Sequence, residues 1–84
     1  MNAPSISIKT IKLIMNKNEV YGNSIPGSPY TITYTVAGHS MEVLARPHSS
    51  YDDCDVTYYF DDVEFDSYDE MFEAVAQHFL KTYY

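Results

Sequence analysis

Tryptophan is absent from this 84-residue chain, cysteine occurs once, glycine three times, and only five residues are Lys or Arg. Each scarcity excludes something. The lone Cys54 cannot close an intrachain disulfide, the usual staple of a secreted domain this small, so the chain reads as a protein of a reducing, cytoplasmic compartment. Gly22 and Gly27 stand alone, with no glycine-rich run and no following Lys-Ser/Thr, and read as turn residues rather than a phosphate cradle. The longest apolar-looking stretch, Ile6 to Met15, is broken by Ser7, Lys9, Thr10 and Lys12, too short and too polar to cross a bilayer. Met1 to Ser5 holds no positive charge and no apolar run follows, so no signal peptide is read there. With a net charge of −7 the chain is repelled by phosphate, and nucleic acid is not expected as a direct partner. Its length predicts a single domain over residues 1–84. A chain of this size buries only about 60 to 65% of its unfolded surface, and a deep catalytic cleft would consume that core. An enzyme is therefore not expected.

Hydrophobic residues make up 45% of the chain and aromatic residues 15%, nine of them Tyr, which is enough for a packed core. Charge is segregated. Residues 1–46 hold Lys9, Lys12, Lys17 and Arg46 against Glu19 and Glu42, a net of +2. Residues 47–84 hold Lys81 against Asp52, Asp53, Asp55, Asp61, Asp62, Glu64, Asp66, Asp69, Glu70 and Glu73, a net of −9. Those ten carboxylates fall within 22 residues with no Lys or Arg between them, whereas an ordinary soluble surface mixes both signs.

Apolar periodicity predicts the elements. Ile6, Ile8, Ile11, Leu13 and Met15 alternate with a phase slip near Thr10, which reads as a first strand with a bulge. Residues 16–29, rich in Asn, Gly, Ser and Pro, read as a loop with a short extension at Val20 and Tyr21. Tyr30, Ile32, Tyr34 and Val36 alternate with threonines, and Met41, Val43 and Ala45 alternate with Glu42, Leu44 and Arg46. These form a hairpin with Gly38-His39 at its tip, Val36 facing Met41, Tyr34 facing Val43 and Ile32 facing Ala45. Val56, Tyr58 and Phe60 make a fourth strand, and Asp61-Asp62 is either a bulge or a tight turn before Val63 and Phe65. Ser67 with Glu70 forms a capping box, and Tyr68, Phe72, Val75, Phe79 and Tyr83 then recur at helical spacing through about Thr82, flanked by Met71, Ala76 and Leu80. The expected architecture is α+β: a four-stranded antiparallel β-meander with one C-terminal helix packed on one face.

Two further chemistries can be weighed against plainer explanations. His48, Asp52, Asp53, Cys54 and Asp55 are all ligand types, but an EF-hand loop begun at Asp53 needs glycine where Tyr58 stands. A solvated acidic loop is the better account, and no metal or other cofactor is expected. Cys54 with His48, or Ser40 with His39, lacks the elbow and oxyanion site that a nucleophile needs, and three carboxylates around Cys54 would raise its thiol pKa. His39 reads as a turn residue and His78 as an edge residue of the helix stripe.

The acidic segment itself offers the best surface for recognition. Tyr51, Tyr58, Tyr59 and Tyr68 interleave with Asp52, Asp53, Asp55, Asp61, Asp62, Glu64, Asp66, Asp69, Glu70 and Glu73, combining rigid aromatic anchors with steering charge. The plainer account is that acidic turns and an acidic first helical turn provide solubility and suit the helix dipole. In length, charge block, tyrosine content and strand-then-helix order, though not by any motif, the chain resembles small acidic inhibitors encoded by phages and mobile elements: anti-CRISPR, DNA-mimic and anti-restriction proteins. That resemblance implies a stoichiometric inhibitor whose acidic face occupies a basic nucleic-acid-binding surface of a host defence complex in the host cytoplasm. The expected partner is thus a protein, not nucleic acid or membrane, and the chain is a monomer or homodimer. The alternative is a small interaction module of antitoxin or immunity type, or a homodimer formed through an edge strand.

Overall fold

Ser7 caps the first helix: its hydroxyl accepts from the Thr10 backbone N–H at 3.2 Å. In the computed structural model, which describes residues 6–22, 25, 27–49 and 55–84, helix α1 then spans Ile8–Ile14. This corrects the bulged strand expected over residues 6–15. Ile8, Ile11 and Met15 are spaced by three and four, and they pack inward while Leu13 is 77% exposed. The phase slip at Thr10 was a helical period. Isoleucine-rich composition favours strand locally, but contact with the C-terminal helix and the Ser7 cap decide for helix.

Five antiparallel strands follow in the order β1-β2-β3-β4-β5: β1 (Asn16–Tyr21), β2 (Tyr30–Val36), β3 (His39–Pro47), β4 (Val56–Phe60) and β5 (Val63–Phe65). The α+β class stands; among the described residues there are five strands rather than four, and a short additional helix. β1 occupies the start of the segment expected to be loop. Its sequence Asn-Lys-Asn-Glu-Val-Tyr is exposed throughout, so it carries no alternation to read; pairing with β2 along its whole length holds it.

The β2–β3 hairpin turns at Ala37-Gly38, not Gly38-His39. Both turn residues have positive φ, +50° and +85°, as a type I′ turn requires. Ile32 therefore faces Val43 and Tyr34 faces Met41, two residues out of the expected register. A slip of two preserves the pleat's parity, so the inward set is unchanged. Asp61-Asp62 resolves as a tight turn, again with positive φ at both residues (+53° and +62°), and it folds β5 back onto β4.

Helix α2 (Tyr68–Tyr83) is capped by Ser67, whose Oγ accepts from Glu70 N–H at 3.4 Å. It lies across one sheet face beside α1. Met71, Val75, Ala76 and Phe79 are fully buried against Ile32, Tyr34, Val36, Val43, Ala45, Tyr58 and Phe60, with Ile11 completing the core. The helical stripe is rotated slightly from expectation: Phe72 is half-buried, and Tyr68 and Tyr83 lie exposed at the two ends. His39 stacks on Tyr83 at 3.7 Å and joins the helix end to the first hairpin.

Candidate functional site: the acidic end of the sheet

The turn at Asp61-Asp62 places two adjacent carboxylates at the tip of the β4–β5 hairpin. β5 continues with Glu64, directly opposite Tyr59 on the sheet face away from the helices, and the Tyr59 hydroxyl donates to Glu64 Oε1 at 3.3 Å. Asp66 follows β5, and Asp69 and Glu70 occupy the first turn of α2, where carboxylates suit the positive end of the helix dipole. Asp55 precedes β4, about 20 Å of strand away from Asp61 at ~3.3 Å per residue.

The expected acidic face thus divides. Asp61, Asp62, Glu64 and Asp66 bracket the β5 edge, Asp69 and Glu70 sit on the helix layer beyond it, and Asp55 stands at the hairpin's far end. Glu73 is withdrawn into structure: it pairs with Lys12 of α1 and accepts from Gln77. The Lys12 contact, then Gln77, holds its carboxyl below the ordinary value. Asp52, Asp53 and Tyr51 lie outside the described residues, as does Cys54. One carboxylate that the charge block omitted joins the site. Glu42 on β3 lines, with Thr31, Leu44, Tyr59, Asp61 and Asp62, an open hollow of about 570 Å³ on the uncovered sheet face. Only the β3–β4 pairing brings Glu42 there, so no local signal could have found it.

The tyrosines also separate. Tyr59 is half-buried on the uncovered face, in a cross-strand row that runs Val20, Thr31, Leu44, Tyr59, Glu64. Tyr68 belongs to the helix side instead. Its hydroxyl accepts from Tyr34 at 2.9 Å, its ring meets Tyr58 edge-on and stacks with Phe72, and Lys17 lies 5.6 Å above it. Burial first, and then the bond to Tyr68, pushes the Tyr34 phenol well above its ordinary value; burial likewise raises Tyr58. On β1, the Tyr21 hydroxyl and Lys17 lower the Glu19 carboxyl.

The Cys54–His48 pairing falls outside the described residues, because Cys54 does, and His39 and Ser40 are each engaged elsewhere. His48 Nε2 bonds Thr57 Oγ1, Ser40 Oγ bonds Thr35 Oγ1 at 3.2 Å, and His39 is stacked on Tyr83. Among the described residues no three His, Cys, Asp or Glu stand together as metal ligands, and no helix is long and apolar enough to cross a membrane. No family model, curated protein or solved structure matches the chain.

Proposed function

We propose that this protein is a stoichiometric, non-catalytic binder whose acidic β4–β5 and α2 end occupies a basic, nucleic-acid-binding surface of a protein complex, as the small phage-encoded inhibitors it resembles do. One observation carries this. Asp55, Asp61, Asp62, Glu64, Asp66, Asp69 and Glu70 make no ion pair among the described residues, whereas Glu19 and Glu73 each hold a lysine. Uncompensated charge along the β4–β5 hairpin and the start of α2 steers encounter with a basic partner and excludes acidic ones. Tyr59 and Leu44, the latter 45% exposed, supply apolar contact beside it.

Immobilised protein should retain a nucleic-acid-handling complex from host lysate at low salt and release it at high salt, because exposed charge pairs are screened. Asp61→Asn with Asp62→Asn and Glu64→Gln should keep the fold and lose that retention. Capture indifferent to both salt and the triple substitution would sink the proposal. A second reading, a homodimer, is favoured by β1 at the opposite edge, six residues long and exposed along its whole length. A doubled mass in light scattering, abolished by a proline in β1, would select it.

A further inference from the structure

β5 ends the sheet, and among the described residues nothing pairs with its outer side. A two-residue turn closes on a hydrogen-bonded pair, here Phe60 and Val63, and bonded pairs then alternate along the ladder. The backbone N–H and C=O of Glu64 therefore point away from β4, into solvent. Many exposed edges are protected by a covering loop, a bulge or a lysine. This one carries only acid: residues 61–66 hold Asp61, Asp62, Glu64 and Asp66 and no cation.

On the helix side of the same edge, a cleft of about 300 Å³ opens between β5 and α2. Phe60, Val63, Phe65 and Ala74 form its apolar lining, and Val63 is 49% exposed. Lys81 and Asp61 also line it, so the cleft holds no excess of acid to draw a cation in. The two sides of the edge thus ask for different chemistry, apolar toward the helix and cationic toward Glu64. Side chains of an extended chain alternate between the same two sides.

We infer that β5 is a docking edge for an extended segment of the partner protein, with apolar and Lys/Arg residues in alternation, which adds to the sheet as a sixth strand. Its apolar side chains enter the cleft beside Val63 and Phe65. Its cationic side chains stand beside Glu64, between the carboxylates at the turn and Asp66. This rests on the proposed reading that the partner surface is basic, and it names the mode of contact.

The probe is a capped nine-residue peptide of alternating lysine and valine, compared with the same peptide carrying N-methyl groups on every second amide. Binding to the isotope-labelled protein is followed by amide shifts and by anisotropy. The plain peptide should shift the Val63, Glu64 and Phe65 amides and bind at least tenfold more tightly than the methylated one. Glu64→Pro, whose lost N–H takes no part in the β4 ladder, should abolish that difference, while Glu64→Gln should retain it. Ala74→Leu, which fills the cleft without touching the β5 backbone, should weaken the plain peptide severalfold even if the proline variant fails to fold. Equal binding of both peptides, indifferent to Ala74→Leu, overturns strand addition and leaves the acidic docking surface standing. No binding of either peptide at low salt overturns both.

Discussion

At Asp61 and Asp62 the backbone and the charge make opposite demands. Positive φ at both positions favours Asn-Gly, because a side chain in the left-handed region costs on the order of 1 to 2 kcal/mol, less for Asp or Asn. The paired carboxylates also repel each other. Asp61→Asn with Asp62→Gly should therefore stabilise the fold by about 1 kcal/mol, read as a higher urea midpoint at unchanged slope. The same variant should bind the lysine–valine peptide less tightly than the parent. A gain in stability with no loss of binding would show that the turn has no role in recognition. Tyr34 makes a prediction at high pH. Its buried phenol has a folded pKa above the ordinary 10.0. Below pH 10 the group is neutral in both states and its contribution is constant. Above it, the unfolded chain releases the proton and the folded chain keeps it, so stability falls as pH rises. Stability should fall above about pH 10, the ordinary tyrosine value, and Tyr34→Phe should remove part of that dependence, leaving Tyr58 to supply the rest.

Among the elements, α1 is the one most dependent on a neighbour. Seven residues cannot hold a helix alone in water, so α1 stands on the Ser7 cap, the burial of Ile11 and the Lys12–Glu73 pair with α2. Because Glu73 and Glu19 have lowered pKa values, their contribution is present above the ordinary carboxyl value of 4.5 and is lost as pH falls through the folded values. Acid titration should thus loosen α1 first, seen as early loss of amide protection at Ile11 and Met15. Glu73→Gln should remove part of the acid dependence while leaving Glu19 to supply the rest. Dependence of this kind explains why α1 and β1 depart from the elements that local periodicity predicts. Ile8, Ile11 and Met15 match a helix as well as a bulged strand over so short a span, and β1 has no buried side chain to give it a period. By contrast, the threonine alternation of β2 and the Ser67–Glu70 cap are local signals, and the elements they announce form where expected.

For the whole molecule, stability rests on the single core between sheet and helices. Phe79 is completely buried there, whereas Phe72 keeps part of its surface in solvent beside Tyr34 and Tyr68. Phe79→Ala should cost about 3 to 5 kcal/mol, a large share of the roughly 4 to 13 kcal/mol expected for a domain of this size. Phe72→Ala should cost less, and thermal melts of the two variants should rank in that order. Much of this architecture was legible in the chain: the α+β class, the switch from strand to helical period at Ser67, the inward set Ile32, Tyr34, Val36, Val43, Tyr58 and Phe60, and the concentration of acid after Pro47. Those properties depend on spacing and parity within one segment, and parity survived even a register slip of two residues. Tertiary structure alone decided that Glu42 joins Asp61 and Asp62, that Glu73 is spent on Lys12, that Tyr68 faces the helix layer while Tyr59 faces solvent, and that β5 is left as an open edge above an apolar cleft. Each of those depends on which backbone meets which across the sheet, a matter of hydrogen-bond pairing and helix packing between residues far apart in sequence.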